Sequence, residues 1–82
     1  MDQPARTPRQ IGAALQRRRK LLGVSQEDLG SRVQLRQSTI SKLEGGDPGT
    51  KLSTLLDTLA GLGLEFVIRE RSKDQPDIED LF

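Results

Sequence analysis

Apolar side chains recur at helical spacing in four segments of the chain, and this pattern predicts four helices. The first helix start is marked by Thr7 as a capping residue, Pro8 at the first helical position and Gln10 at the third. The apolar positions of this helix are Ile11, Ala14, Leu15 and Leu22. Arg18 interrupts that stripe, so we expect the basic run 17–20 to lie mostly at the surface.

Two short helices follow, separated by a break of residues 34–36 only. Ser25 is the predicted cap of the second helix, which places Leu29 and Val33 inward. The third helix is predicted from Gln37 to about Glu44. Two short helices joined by a tight break, behind a capped first helix, make a helix-turn-helix.

A turn rich in glycine and proline, residues 45–49, separates the third helix from the fourth. Thr50 is the predicted cap of the fourth helix, and Gly61 and Gly63 predict its end. An apolar stripe at i, i+3, i+4 spacing predicts which side chains of this helix face inward. Its members are Leu52, Leu55, Leu56, Leu59 and Leu62.

Residues 64–71 change to an alternating apolar and polar pattern, which predicts a β-strand. The chain offers no second strand, and a single strand leaves backbone donors and acceptors unpaired. We therefore expect this strand to pair with the same strand of a second copy across a two-fold axis. A frayed or helical extension of the preceding helix is the alternative. The residues assigned to the dimer strand are Leu64, Phe66, Val67 and Ile68.

The two ends of the chain lack helical and strand periodicity. Residues 1–7 are predicted to be a flexible arm, residues 8–63 the helical domain, and the acidic residues 72–82 a disordered tail. A second interpretation of the tail is a segment that folds onto a basic, grooved partner with its apolar side chains as anchors. Those side chains are Ile78, Leu81 and Phe82.

The composition excludes several kinds of chemistry. The 82 residues include no Cys and no His, which removes disulfides, Cys/His metal sites, thiol nucleophiles and imidazole catalysis. We expect no metal, no cofactor, no small-molecule substrate and no enzymatic activity, because the carboxylates are scattered and so short a chain has little room for a cleft. Only 33% of the residues are hydrophobic, which favours an oligomer over an isolated small core. No apolar run has the length of a membrane span and no signal peptide is recognisable, so we expect a soluble, cytoplasmic protein that does not meet a membrane.

Charge is distributed unevenly along the chain. Residues 1–50 contain nine basic and five acidic side chains, whereas residues 51–82 contain four basic and seven acidic ones. The basic front half is typical of a surface that meets a polyanion, and the acidic back half indicates a different partner. Solvated surfaces produce a similar charge asymmetry, so the sequence motifs described next are stronger evidence of function than the charge.

Two motifs resemble a known family. The runs Ser25-Gln26-Glu27-Asp28-Leu29 and Ser38-Thr39-Ile40-Ser41-Lys42-Leu43-Glu44-Gly45 resemble the Xre/Cro-type helix-turn-helix family over about residues 9–63. Residues 36–41, the proline-containing turn, the fourth helix and the appended strand are most similar to the HipB-type antitoxins within it. The resemblance implies a lambda-repressor-like domain that binds a palindromic operator as a homodimer and represses transcription. It also implies a type II toxin–antitoxin pair in which the chain restrains a HipA-like serine/threonine kinase toxin.

A recognition helix in the major groove presents its first turn to base edges and its flanks to phosphates. Gln37 can make paired hydrogen bonds to adenine, and Arg36 can reach a guanine or a phosphate. Ser38 and Ser41 follow along the same helix and complete the candidate base-reading set. Candidate phosphate contacts are Gln26 and Lys42, and the family uses a glutamine at the position of Gln26 in this way. The family also commonly pairs an arginine and a glutamate at the positions of Arg19 and Glu44, which implies a structural ion pair.

The chain departs from the family pattern at three positions. Gly30 stands where alanine is usual, which allows a close contact but lowers helix propensity by about 1 kcal/mol. Gln34 replaces a turn glycine, so a left-handed conformation there would cost roughly 1–2 kcal/mol. Arg36 replaces a capping serine or threonine and forfeits about 1 kcal/mol, which favours a contact role for this side chain.

The sequence is also compatible with two functions other than a repressor antitoxin. One is a stand-alone regulator of the same family. The other is a helix-turn-helix used only as a protein-interaction module. The polar run Arg36-Gln37-Ser38 favours DNA, because a protein-binding face would carry more apolar side chains at these positions.

Overall fold

The computed structural model describes residues 3–71, and four α-helices account for most of them. The helices are α1 (Pro8–Leu21), α2 (Gln26–Val33), α3 (Gln37–Glu44) and α4 (Leu52–Gly61). Helix α3 packs against both α1 and α2, and α4 packs against α2. The predicted four-helix, mainly α fold is therefore confirmed.

Local capping explains where the first two helices begin. Thr7 Oγ1 accepts a hydrogen bond from the Gln10 backbone N at 3.1 Å, and Ser25 Oγ accepts one from the Asp28 backbone N at 3.0 Å. Gln10 Oε1 also accepts from the Arg6 backbone N at 2.6 Å, one residue earlier than a capping box requires. Both predicted helix starts are confirmed.

The fourth helix begins one residue later than its predicted cap allows. Thr50 is not the cap: Lys51 holds that position, and α4 has no side-chain cap hydrogen bond. The first hydrogen bond of α4 runs from the Leu55 backbone N to the Lys51 carbonyl oxygen at 3.1 Å, whereas the Thr50 backbone N donates to the Asp47 carbonyl oxygen of the preceding turn at 3.3 Å. Thr50 belongs to that turn, so the prediction is wrong by one position.

The core is small and lies where α1, α2 and α3 meet the end of α4. Its buried apolar side chains are Leu15, Val24, Leu29, Ile40, Leu43 and Leu62. Partly buried side chains pack around them: Ile11, Val33, Leu35, Leu55, Leu59 and Leu64. This core contains few residues from each helix, so close backbone contacts matter for its stability.

Three leucines predicted to face inward are exposed. Leu52 is 63% exposed, and Leu22 and Leu56 are 43% exposed. The stripe on α4 covers about a third of the helix circumference at 100° per residue, which is wider than the surface that α2 covers. Only the half of that stripe nearer α2 is therefore covered. Leu22 is the C-cap of α1 and lies just beyond the helix.

Glycines bring backbones into contact at two places. A Cβ on Gly12 would lie 2.5 Å from the Glu44 carbonyl oxygen, so α1 crosses the end of α3 at backbone distance. A Cβ on Gly30 would lie 2.5 Å from the Leu35 carbonyl oxygen, so α2 closes against its own following turn. The close contact expected at Gly30 is therefore with the turn.

The turn between α2 and α3 contains a left-handed residue. Gln34 has φ 59° and ψ 42°, a conformation that favours glycine, and it is the one non-glycine residue with positive φ in the described part of the chain. The Leu35 backbone N donates to the Gly30 carbonyl oxygen at 2.8 Å and closes the end of α2. The left-handed conformation considered for Gln34 is thus present.

Residues 64–71 carry neither helix nor strand in the single chain. Helix α4 ends at Gly61, so these residues do not extend it, and the Leu64 backbone N donates to the Leu59 carbonyl oxygen at 2.9 Å. A strand that pairs across a two-fold axis requires a second copy, so the strand stays a prediction. Ile78, Leu81 and Phe82 lie outside the described residues. Within residues 3–71 no helix is both long and apolar enough to cross a membrane.

Candidate nucleic-acid interface

The predicted contact residues of the third helix are exposed on α3 or directly before it. Ile40 and Leu43 anchor the opposite face of this helix in the core. The exposed side chains are Arg36, Gln37, Ser38, Ser41 and Lys42. The alternation follows from helical spacing, because the buried and exposed positions occupy opposite sides of two turns. The structure therefore brings the predicted polar residues to one accessible surface.

Arg36 precedes α3 as its N-cap residue and makes no side-chain cap hydrogen bond. This confirms that the position forfeits a cap. Arg36 is exposed at the start of the helix, immediately before Gln37. A flexible cation at this place can reach either a base edge or a phosphate.

Arg19 and Glu44 form a buried ion pair between α1 and the end of α3. Arg19 Nε donates to Glu44 Oε2 at 2.6 Å, and Arg19 Nη2 donates to Glu44 Oε1 at 3.0 Å. The third nitrogen, Nη1, donates to the Val24 carbonyl oxygen at 2.9 Å. The two residues are only 8% and 9% exposed. A bidentate geometry with an extra acceptor satisfies the guanidinium in a poorly hydrated place.

Arg19 stays protonated over the ordinary pH range. The hydrogen bond with Glu44 raises the pKa of Arg19, and desolvation opposes that rise. A raised pKa in the folded state means that the contribution to stability is complete below the ordinary arginine pKa. It is lost only as the pH rises through the still higher folded value.

Two glutamines connect this ion pair to the first turn of α3. Gln26 Nε2 donates to Glu44 Oε1 at 3.1 Å, and Gln37 Nε2 donates to Gln26 Oε1 at 3.2 Å. Gln26 is half-buried at the start of α2, whereas Gln37 is exposed. The first turns of α2 and α3 are thereby joined. Sequence reasoning selected these residues singly and missed the bonds between them, for which the spacing gives no signal.

Arg18 has a different role from the one predicted. Its Nε atom donates to the Leu62 carbonyl oxygen at 2.9 Å, and its side chain is partly buried. The expectation of a mostly solvated surface position is wrong for this residue. The available signal was its place in the apolar stripe of α1, because a polar residue at an inward position needs a partner inside the fold. Arg17 is exposed, as expected.

The described residues contain no group of three or more His, Cys, Asp or Glu that could hold a metal ion. Every buried side-chain nitrogen or oxygen among them has a hydrogen-bond partner. The polar groups available to a ligand are therefore exposed ones, and those on α3 and at the start of α2 are among them.

A short helix held across a second by a tight turn, with its outer face polar, defines a helix-turn-helix protein. The chain belongs to the family described as "Helix-turn-helix domain", which matches residues 10–71. No curated protein sequence matches the chain significantly.

Several solved structures share the fold and are HipB-like. A chain of the HipA-HipB-O2-O3 complex is 27% identical, with a TM-score of 0.81, covering 87% of this chain and 100% of that chain. The HipB-O4 20mer complex gives the same identity, coverage and TM-score. A HipB variant in complex with an O2 20mer is 26% identical, with a TM-score of 0.82, over 88% of this chain and 100% of that chain. The Xre-type, HipB-like resemblance predicted from the motifs is confirmed.

Proposed function

We propose that this protein is a sequence-specific DNA-binding repressor that acts on a palindromic operator as a homodimer. The observation that carries the proposal is the exposed polar face of α3, whose first residue, Gln37, is hydrogen-bonded to Gln26 of α2. Side chains held at the entrance of a recognition helix can read base edges in the major groove. The similarity to HipB in complexes with O2 and O4 20mers supports this function.

In this proposal the contacts divide into two groups. Arg36, Gln37, Ser38 and Ser41 read bases, with Gln37 paired to an adenine. Gln26 and Lys42 bind phosphate, and Gln26 keeps one N–H for this purpose after donating the other to Glu44. Glu27 and Asp28 balance the dipole of α2 and disfavour an anion there, so the amide of Gln26 carries more of the phosphate contact than the helix terminus does.

The dimer is proposed to form through residues 64–71 and the exposed apolar face of α4. Phe66, Val67 and Ile68 are 51%, 65% and 89% exposed, and Leu52 and Leu56 of α4 are exposed as well. So much apolar surface on so short a chain is typical of an interface. A shared two-stranded ribbon would join two copies of residues 8–63, and a palindromic site requires their two recognition helices to lie about 34 Å apart.

We further propose that the protein is the antitoxin of a type II toxin–antitoxin pair and restrains a HipA-like serine/threonine kinase. Support comes from the solved HipA-HipB-O2-O3 complex, a chain of which matches 87% of this protein. The acidic residues 72–82, with Ile78, Leu81 and Phe82 as anchors, are the proposed toxin-binding segment. Co-expression of the kinase with the full chain or with residues 1–71 tests this. If both restore growth, residues 72–82 are not part of the interface with the toxin.

The experiment that tests DNA binding is a salt titration with purified protein. Binding to the DNA upstream of its own gene is compared with binding to a scrambled duplex of the same composition. A specific complex with two dyad-related half-sites, weakening steeply as salt rises, is expected. Equal and weak binding to both duplexes would contradict the repressor function.

That second outcome would favour a protein-interaction module instead. The exposed apolar surface of Leu52, Leu56 and Ile68 is the observation that supports this alternative. A stand-alone regulator would bind its operator specifically but would fail to rescue cells from the kinase. The two experiments together separate the three functions.

A further inference from the structure

A continuous set of hydrogen bonds runs from the buried ion pair to the surface of α3. Glu44 Oε1 accepts from Gln26 Nε2 at 3.1 Å, and Gln26 Oε1 accepts from Gln37 Nε2 at 3.2 Å. Arg19 holds both oxygens of the same carboxylate, at 2.6 and 3.0 Å. We refer to Glu44, Gln26 and Gln37 with their two connecting bonds as the glutamine relay.

The chemistry of the groups determines the direction of this relay. A carboxylate paired with a guanidinium offers only acceptors, so Gln26 has to turn its NH₂ group toward Glu44. The carbonyl oxygen of Gln26 then faces Gln37, which donates a hydrogen bond to it from its own NH₂ group. Gln37 is left with its Oε1 atom and one N–H for an outside partner.

We propose that Glu44 is a positioning residue for base recognition, which orients the amide of Gln37 through Gln26. The inference rests on the proposed DNA-binding function and adds to it a cause for the base preference. Adenine presents an N6–H donor beside the N7 acceptor in the major groove, so an amide must offer its oxygen and nitrogen in the matching order. The relay holds that order before DNA arrives and avoids the loss of side-chain freedom on binding.

A purely structural ion pair would affect stability and leave base preference unchanged, so the test needs a readout that separates the two. Glu44→Gln replaces one oxygen by an NH₂ group and places a donor against a donor at Arg19 or at Gln26. Thr58→Val is the matched control. It removes a buried hydroxyl that donates to the Thr54 carbonyl oxygen at 2.8 Å, without touching the relay.

The first measurement uses the free protein and no DNA. Nuclear magnetic resonance records the side-chain NH₂ signals, and those of Gln37 are identified by their loss in Gln37→Ala. We expect Glu44→Gln to shift the NH₂ signals of both Gln26 and Gln37, and Thr58→Val to shift neither. Unchanged Gln37 signals in Glu44→Gln would overturn the relay, whatever the protein binds.

The second measurement selects duplexes from a random pool and compares affinities for the four bases at the position that Gln37→Ala relaxes. We expect the wild-type protein to prefer adenine there by roughly 10-fold, and Glu44→Gln to reduce that preference to about 2-fold. Glu44→Gln should have no further effect on this preference in a Gln37→Ala background. Thr58→Val should retain the full preference.

The outcomes distinguish the inference from the function on which it rests. If Glu44→Gln keeps the wild-type base preference while Gln37→Ala loses it, the inference is overturned and the DNA-binding function stands. If the wild-type protein enriches no sequence, the DNA-binding function fails, and with it the role of Glu44 in base recognition. Should Glu44→Gln fail to fold, Gln26→Leu breaks the relay and leaves the ion pair intact. The inference then requires Gln26→Leu to reduce the preference for adenine at the same position.

Discussion

Arg18 of α1 donates a hydrogen bond from Nε to the carbonyl oxygen of Leu62, 44 residues further along the chain, at 2.9 Å. Leu62 is the C-cap of α4, where the last carbonyl oxygens of a helix have no partner within it. A cation at a helix C-terminus also interacts favourably with the helix dipole. Arg18 therefore fastens the end of α4, and the start of residues 64–71, to the first helix.

Loss of this contact should loosen the junction between α4 and residues 64–71. We expect Arg18→Met to lower the free energy of unfolding by about 1 kcal/mol, because the hydrogen bond is charge-assisted but only partly buried. Arg18→Lys, which retains the charge and the apolar stem, should lose less. Urea denaturation measures the change, and hydrogen exchange at the Gly63 and Leu64 amides localises it. Identical denaturation curves for Arg18→Met and the wild-type protein would contradict the role assigned to Arg18.

Gly12 should tolerate no side chain. A Cβ there would lie 2.5 Å from the Glu44 carbonyl oxygen, and that oxygen belongs to the backbone of α3, which cannot turn aside. We expect Gly12→Ala to lower the free energy of unfolding by about 1–3 kcal/mol. Gly45→Ala is the control, because a Cβ at Gly45 meets no atom closer than 3.4 Å and its φ of −78° suits any residue. Thermal unfolding of the two variants should differ clearly, and equal melting temperatures would contradict the close contact.

Gln34 offers the opposite case, in which a substitution should stabilise the protein. Its left-handed conformation costs a residue with a Cβ roughly 1–2 kcal/mol. Gln34→Gly would remove this cost, and the larger conformational entropy that glycine loses on folding would offset part of the gain. We expect a net gain of about 0.5–1 kcal/mol in chemical denaturation. Gln34→Ala removes the same exposed side chain without relieving the strain and should give no gain. Equal stabilities of the glycine and alanine variants would show that the turn is not strained.

The sequence was sufficient for features that depend on neighbours in the chain. Thr7 and Ser25 cap the helices that their positions predict, because a cap involves residues three positions apart. The exposed polar face of α3 followed from helical spacing in the same way. Thr50 was misplaced because the first hydrogen bond of α4 is accepted by the Lys51 carbonyl oxygen, which leaves Thr50 in the preceding turn.

Features that depend on distant parts of the chain could not be predicted. Arg18 was assigned to the surface because its partner, the Leu62 carbonyl oxygen, is brought to it only by the packing of α4. Leu52 and Leu56 were assigned to the core because the stripe on α4 does not reveal how much of it α2 covers. The Arg19–Glu44 pair was expected only from the family resemblance, and its connection to Gln37 through Gln26 required the side-chain geometry.

The proposed dimer strand can be tested with proline substitutions at two adjacent positions. Along a strand, successive N–H groups point to opposite edges, so one of Val67 and Ile68 has to direct its N–H toward the paired strand of the second copy. Proline at that residue removes a ladder hydrogen bond. We therefore expect Val67→Pro or Ile68→Pro to raise the dissociation constant of the dimer by at least about 10-fold in analytical ultracentrifugation, because one backbone hydrogen bond and the pairing beside it are lost. Ala5→Pro, in the exposed segment before α1, controls for the substitution itself and should leave the dimer intact.

If both proline variants in residues 64–71 remain as dimeric as the wild-type protein, the two copies do not share a β-ribbon there. The exposed leucines of α4, Leu52 and Leu56, would then be the surface through which they associate.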